Sequence, residues 1–296
     1  MTPYLLIRKI KIQNANAMSS PVTIGFPAIT AWLGGIHALE RRLRQRAALS
    51  ALHFSRMAIA CHTFDLQTYR GHGDYVDSVI ITANPLLKKG ANFERPPFIE
   101  EARVHLTISL LVELDQITPE MEEQLPASIA QELPRMKFAG GDILPEPASL
   151  KLLYHNPADP AADRNILRQL APGYLLVERR DLMETLMVEG KSGADALLHF
   201  LEIQYQADHN DAGEVPRWNG KKAEPGWLVP IAVGFKGLSP LERVDRQRDA
   251  ETPHRFAESV ITLGEFKMPH HFQQISDVLW KYEYLSSKNL YLCTNQ

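Results

Sequence analysis

The first ordered segment of the chain reads Tyr4-Leu-Leu-Ile-Arg-Lys-Ile-Lys-Ile12, an apolar run that ends in strict alternation of apolar and basic residues. Successive side chains of a β-strand point to opposite faces, so this alternation places Ile10 and Ile12 on one face and Lys9 and Lys11 on the other. The segment therefore predicts a half-buried first strand with a basic outer face.

Apolar spacing divides the rest of the first half into further elements. Residues 13–21 are polar and predict a loop, because Asn, Ser and Pro favour turns. Apolar residues spaced by three or four predict a helix from Ile29 to Leu43, with arginines crowded into its last turns. We also predict strands at 57–64, at 103–114 and after Gly140-Gly141, a helix at 120–136, and a hairpin that leaves the main sheet at about 68–97.

This order of elements is close to the βαββαβ order of a ferredoxin-like fold, a class that includes RNA-binding sheets. We therefore predict an α+β protein with a ferredoxin-like (RRM-like) head at residues 1–150, which includes the protruding hairpin as a thumb. Residues 151–296 are expected to form an elaborated C-terminal half packed on the head. In that half we expect helices at 165–170, 182–203 and 272–282, strands at 174–177 and 228–233, and a long loop at 207–224.

Charge is unevenly distributed along the chain. The formal charge of -3 and the pI of about 6.4 exclude nucleic-acid binding driven by net charge alone. Residues 1–56, however, hold eight basic residues and one acidic residue (net +7), and residues 94–132 hold nine acidic and two basic residues (net -7). Such blocks fit one face for a polyanion and another for a basic partner, or simply two solvated helix faces.

Motifs for metal, cofactor or nucleotide chemistry are weak. Cys61 and Cys293 are too few for a disulfide framework, which favours a cytoplasmic location, and no segment has the roughly 18 apolar residues of a membrane span. We predict no metal and no cofactor. A metal-independent ribonuclease would need only a suitably placed histidine, for which His37 and His105 are the best placed.

The polar segment after the first strand is the most distinctive candidate site. Gln13, Asn14, Asn16, Ser19 and Ser20 combine dense hydrogen-bonding capacity with little bulk, which suits a phosphodiester backbone and base edges. The same residues are also typical of a capping and turn segment. The sequence alone leaves both interpretations open.

At this segment the chain strongly resembles the family of the second Csy subunit of type I-F CRISPR surveillance complexes, the Cas-five branch of the repeat-associated RNA-binding superfamily. The resemblance continues through ordered blocks over about nine tenths of the chain. These blocks include Ile12-Gln-Asn-Ala-Asn-Ala17, His37-Ala-Leu-Glu-Arg-Arg42, Gly140-Gly141 and Pro225-Gly-Trp-Leu-Val-Pro-Ile231.

The resemblance implies a non-catalytic subunit that caps the 5′ handle of the CRISPR RNA in antiviral defence. It also implies contacts with a Cas-eight-type large subunit and a Cas-seven-type backbone subunit, and with target DNA through the assembled complex. We expect RNA contacts from Gln13, Asn14, Asn16, Ser19, Ser20, Arg41, Arg42, Gly140, Gly141, Arg248 and Arg255, and a role in the thumb for Lys88 and Lys89.

Two rival functions remain at this point. One is an endoribonuclease that processes CRISPR precursor RNA, and the other is an unrelated metabolic α+β enzyme. Trp227 is a further candidate for base stacking, although its apolar surroundings favour a place in the core.

Overall fold

The computed structural model describes residues 1–80, 86–95, 101–208, 217–247 and 249–295. The strands in these ranges are β1 (Thr2–Asn16), β2 (Met18–Ser20), β3 (Thr23–Ile24), β4 (Phe54–Leu66), β5 (Thr68–Tyr69), β6 (Ser78–Val79), β7 (Leu87–Lys89), β8 (Asn92–Glu94), β9 (Arg103–Leu114), β10 (Lys137–Phe138), β11 (Gly141–Ile143), β12 (Ser149–His155), β13 (Tyr174–Glu178), β14 (Gln204–Asp208), β15 (Arg217–Lys221), β16 (Trp227–Gly237), β17 (Ala257–Lys267), β18 (Lys281–Leu285) and β19 (Leu290–Thr294). The α-helices are α1 (Ile29–Leu43), α2 (Pro119–Glu132), α3 (Ala162–Arg168), α4 (Arg180–Val188) and α5 (Gly193–Leu201). Short 3₁₀ helices lie at Ala47–Leu49, Leu133–Arg135, Pro269–His271, Ile275–Val278 and Ser286–Lys288.

Eleven of these strands form one large, curled antiparallel sheet in a mixed α/β protein. Its order is β10-β11-β1-β9-β4-β13-β17-β16-β19-β18, and β12 pairs with β1 beside β11. The strands predicted at 57–64, 103–114, 174–177 and 228–233 lie in this sheet as β4, β9, β13 and β16. No helix of the described ranges is long and apolar enough to cross a membrane.

β1 is buried on both faces at its start and on one face further along. Leu5 and Ile7 join the core under α1 and α2, whereas Tyr4 and Leu6 pack on the opposite face against α3. From Ile10 onward only the core face is covered, so Lys9 and Lys11 are exposed as the alternation predicted. The first strand therefore carries a layer of structure on each side of the sheet.

The loop predicted at residues 13–21 is wrong, because β1 continues through it to Asn16. A bulge between Ile12 and Ala15 shifts the register with β9, and Asn14 takes a positive φ of 56° there. Asn tolerates this backbone conformation better than most residues. The polar residues that indicated a loop thus form a bulge within β1 and then the β2–β3 hairpin.

The C-terminal half extends the same sheet from β4. β13 pairs with β4 at Cys61 and Ala60, and Trp280 forms an isolated backbone bridge with Met57 on that strand. The helix predicted at 272–282 is wrong: only Ile275–Val278 forms a 3₁₀ turn, and β18 follows it. Bridging of Trp280 to Met57 forces extended backbone where side-chain spacing had indicated a helix.

Two-stranded hairpins lie outside the main sheet. β5 pairs with β6 and β7 pairs with β8 within the predicted thumb, of which residues 81–85, 96 and 97 lie outside the described residues. β14 pairs with β15, so the long loop expected at 207–224 is partly a hairpin. Residues 209–216 of that segment also lie outside the described ranges.

A buried carboxylate joins the three central strands. Glu113 on β9 accepts hydrogen bonds from the Tyr4 hydroxyl at 3.2 Å, the Ser55 hydroxyl at 3.0 Å, and Nε and Nη2 of Arg56 at 2.5 and 2.7 Å. Burial opposes ionisation of Glu113, but the hydrogen bonds from Arg56 and Ser55 outweigh it and lower its pKa. β1, β4 and β9 therefore share one ionised group.

We predict that Glu113→Gln lowers the free energy of unfolding by about 2 kcal/mol at neutral pH, because Arg56 loses its charged partner. A lowered folded-state pKa means that this stabilisation is complete above the ordinary glutamic acid pKa and is lost as the pH falls below about 4. Urea unfolding at several pH values measures both effects. Glu123→Gln on the exposed face of α2 is the matched control, and equal losses in the two variants would contradict the prediction.

Candidate nucleic-acid interface

Helix α1 lies unusually close to the β10–β11 hairpin. Trp32, Ile36 and Leu39 are buried in the core. On the side facing the hairpin, a Cβ built on Gly35 would lie 2.2 Å from the Phe138 ring. Only a glycine fits at that contact. It lets α1 pack closely against the hairpin, and the neighbouring residues on this side of the helix are also small.

The turn of that hairpin consists of two residues in the left-handed region. Ala139 has a φ of 48° and Gly140 a φ of 77°, as two-residue hairpin turns require. Asn16 at the end of β1 donates its backbone N–H to the Ala139 carbonyl at 2.8 Å. The turn is thereby fixed against the end of β1.

Two adjoining depressions run along α1, and together we name them the α1 groove. The first has a volume of about 440 Å³ and the second about 430 Å³. Ala38 lines both, so the two depressions are neighbours on the helix surface. The first is lined by Asn16, Ser19, Pro27, Ala28, Ala31, Gly34, Gly35, Ala38, Lys137, Ala139 and Gly140, and the second by Ala38, Arg41, Arg42, Arg44 and Gln45.

Five of the predicted site residues lie in the α1 groove: Asn16, Ser19, Gly140, Arg41 and Arg42. The Asn16 side chain closes a local turn, donating to the Met18 carbonyl at 3.0 Å and accepting from the Met18 N–H at 3.1 Å. The Ser19 hydroxyl is 3.0 Å from the Thr23 hydroxyl. The capping and turn interpretation of the polar segment therefore holds for Asn16 and Ser19, which also line the groove, and their RNA contacts stay a prediction.

Ser20 and Gly141 are buried rather than presented to a ligand. The Ser20 hydroxyl lies 2.6 Å from the Thr23 hydroxyl inside the β2–β3 hairpin. A Cβ on Gly141 would lie 2.7 Å from the Ala15 nitrogen, so this glycine lets β11 approach the bulge of β1 instead of an RNA backbone. The contacts of both residues in the described structure are structural, and their expected RNA contacts stay untested predictions.

The other described residues among the predicted contacts do not line the α1 groove. Gln13 and Asn14 are exposed on β1, where the Asn14 N–H donates to Nδ1 of His105 at 3.1 Å. Arg255 packs against Gly237 and donates to the Asn289 side chain at 2.9 Å, which indicates a local structural role. Lys88 and Lys89 are exposed on β7, and Arg248 lies outside the described residues.

Part of the basic sequence block is neutralised by two glutamates of the acidic block. Arg46 contacts Glu132 at 3.2 Å and Ser128 at 2.8 Å, Arg42 lies 3.7 Å from Glu132, and Arg56 binds Glu113. Arg44 lies 3.6 Å from Glu40 on its own helix. Charge counting along the chain did not reveal this pairing.

Arg41 is the exception among the groove arginines. It is exposed, and the described part of the chain provides it with no ion pair. Lys137 also lines the groove, where it pairs with Asp142 at 2.6 Å. Lys137 was not among the predicted contacts, since only the packing of α1 on the hairpin brings it to this surface, whereas Arg44 follows directly from its place beside Arg41 and Arg42 at the end of α1.

An aromatic surface lies elsewhere on the molecule, and Trp227 belongs to it. Trp227 is 46% exposed, which the sequence did not favour, and its ring centroid lies 5.4 Å from that of Tyr174 and 5.0 Å from that of Phe266. Phe64 is exposed beside it in a shallow apolar pocket of about 180 Å³. This surface could stack a base, but none of the predicted polar contacts lines it.

Cys61 and His62 are held by structural contacts. Cys61 faces the core, where burial raises its pKa to about 12, and His62 lies 2.7 Å from the Ser109 hydroxyl. Burial, together with the charges of Lys9 and Arg8, lowers the pKa of His62. No group of three potential ligands among the described residues could hold a metal ion.

Comparison with known sequences defines the class of protein. The family model described as CRISPR-associated protein (Cas_Csy2) matches residues 5–293. The CRISPR-associated protein Csy2 of Pseudomonas aeruginosa (strain UCBPP-PA14) is 34% identical over 313 residues, which cover 97% of this chain and 93% of that relative. The chain is therefore a CRISPR-associated protein. It belongs to the Csy2 family of type I-F systems, which confirms the resemblance drawn from its motifs.

The two glycines of the hairpin should respond differently to substitution. Gly140→Ala places a side chain at a positive φ in open space and should cost about 1 kcal/mol of stability. Gly141→Ala forces a methyl group against the Ala15 backbone and should cost about 2 to 3 kcal/mol. Thermal unfolding of the two variants side by side tests this order, and a larger loss for Gly140→Ala would contradict the assignment.

Proposed function

We propose that this protein is a non-catalytic subunit of a type I-F CRISPR surveillance complex and that its α1 groove binds the 5′ handle of the CRISPR RNA. The groove is the observation that carries the proposal. Small residues along α1 allow a phosphodiester backbone to approach the helix closely, and Arg41 offers it an unpaired cation. Asn16, Ser19 and the exposed Gly140 turn add polar groups at one end.

The charge pairing favours a short, specific contact over general affinity for RNA. Arg42 and Arg46 are held by Glu132, and Arg56 is held by Glu113. Arg44 and Lys137 of the groove are also paired, with Glu40 and Asp142, so Arg41 is the one basic residue of the groove without an ion pair among the described residues. We infer that the isolated protein binds generic RNA weakly and that assembly with the Cas-eight-type and Cas-seven-type subunits completes the site, so target DNA is reached only through the complex.

We further propose that residues 1–150 form a ferredoxin-like head. The strand order β12-β1-β9-β4, all antiparallel, with α1 after β1 and α2 after β9, supports this interpretation and extends the proposed head to the end of β12 at His155. We also propose that residues 151–296 fold against the head, since β13 continues its sheet at β4. Within this architecture the β7–β8 hairpin supplies the thumb.

Catalysis is not part of the proposal. Neither depression of the α1 groove is lined by a histidine among the described residues. His105, a candidate for the ribonuclease alternative, uses Nδ1 to accept the Asn14 N–H and is not in the groove. Specific cleavage of labelled repeat RNA by the purified protein would overturn the binding-only role.

Arg41→Glu should reduce retention of the CRISPR RNA by the assembled complex about tenfold, because it replaces the unpaired cation with an anion. Asn14→Ala combined with Asn16→Ala should reduce it as well. Electrophoretic and filter-binding assays with handle-bearing RNA measure the effect, while subunit content is quantified separately. Arg164→Glu, on the exposed side of α3 across the sheet, is the matched control. Unchanged RNA retention by Arg41→Glu would refute the groove as the binding site.

The thumb should act next to the handle, where we propose that it interrupts pairing of the guide. Lys88→Glu with Lys89→Glu, or deletion of residues 79–93, should expose guide nucleotides beside the handle to nuclease. Lys221→Glu with Lys222→Glu, at the end of the exposed β14–β15 hairpin, is the control pair. An unaltered RNA footprint after the deletion would show that the hairpin has no such role.

A further inference from the structure

β17 has an unpaired edge over half its length. β16 pairs with β17 from Ala257 to Phe266, whereas β13 pairs with it only from Gly264 to Lys267. Residues 257–262 therefore have a strand on one side only. An exposed strand edge of this kind is a ready template for addition of another strand.

The backbone groups on that open edge can be identified. The Arg179 N–H donates to the Leu263 carbonyl at 2.8 Å, so the polar groups of Leu263 point away from β16. Pro230 stands opposite Leu263 on β16 and has no N–H to donate, as expected if these two residues do not hydrogen-bond to each other. Because strand residues alternate, the N–H and C=O groups of Ile261 and Ser259 also face the open edge, where the described residues provide them with no backbone partner.

The open edge lies in a cavity with a volume of about 780 Å³. Apolar side chains from α4, α5 and the sheet line it, among them Met183, Met187, Leu197, Val260 and Leu292. Six residues of extended chain span about 20 Å. The cavity thus provides both a strand edge and apolar surface for alternate side chains.

The charges around this cavity are acidic. Glu184 and Glu258 line it, and neither has an ion pair in the described part of the chain. Arg180 lies in the same lining but is held by Glu178 at 2.7 Å. A nucleic-acid backbone would be repelled here, and antiparallel pairing of β17 with a second copy would bring like charges together.

We propose that an extended segment of another polypeptide, with Lys or Arg between apolar residues, adds as a strand to residues 257–262. Main-chain hydrogen bonds to Ser259 and Ile261 would fix its register, and its cations would meet Glu184 and Glu258. This site is separate from the α1 groove and does not depend on RNA binding.

Proline substitution tests the proposal directly. Ser259→Pro removes an N–H that faces the open edge and leaves the ladder to β16 intact, because proline is tolerated at such edge positions. Ser259→Ala, which keeps the N–H, is the matched control. We expect Ser259→Pro to lower recovery of the co-expressed CRISPR subunits at least tenfold relative to Ser259→Ala, with the unfolding midpoint and RNA binding of the isolated chain unchanged. Glu184→Lys with Glu258→Lys should lower recovery similarly.

Hydrogen exchange of the unsubstituted protein gives an independent readout. The Ser259 and Ile261 amides should exchange at least tenfold more slowly in the purified complex than in the isolated chain, and the protection should survive ribonuclease. Equal exchange in the two states would overturn the proposal. If ribonuclease removes the protection, nucleic acid occupies the edge. If the protection rises with the concentration of the isolated chain, a second copy occupies it. Either result would also overturn the proposal.

Discussion

The curl of the sheet depends on one reciprocal backbone contact. Met57 donates to the Trp280 carbonyl at 2.9 Å, and Trp280 donates to the Met57 carbonyl at 2.7 Å. The indole of Trp280 is fully buried and donates to the Leu176 carbonyl at 2.9 Å, which satisfies its only donor. This residue therefore joins β4 to β13 and to the last strands of the chain.

The curled sheet in turn fixes α1. The helix contacts β4 and β10 in the first half and β16 and β19 in the second, so it is held from both. Glu40, buried near its end, accepts the Phe54 N–H at 2.7 Å and ties the helix to the start of β4. The groove along α1 is consequently a rigid surface. A rigid site with few free charges is suited to recognising one shape of ligand, because little ordering is needed when that ligand binds.

Local sequence patterns predicted an element correctly where one of its faces packs on the core. The periodicity of Ile29, Leu33 and Ile36 predicted α1. The patterns failed where a residue distant in sequence determines the backbone conformation. Ile275, Val278 and Leu279 have helical spacing, but the bridge from Trp280 to Met57 leaves room for only one 3₁₀ turn. Pairing of Arg46 with Glu132 spans 86 residues, a separation that no local window contains. Lys137 was missed for the same reason.

The internal pairing of arginines with glutamates also affects how the protein responds to ionic strength. Protein–nucleic acid affinity falls with salt in proportion to the number of phosphates neutralised, by a logarithmic slope of roughly 0.7 per phosphate for single strands. In the α1 groove, Arg42, Arg44 and Lys137 are already paired with Glu132, Glu40 and Asp142, so RNA bound there as proposed would release few counterions. Binding in the proposed groove would thus persist at salt concentrations that detach proteins bound mainly by charge.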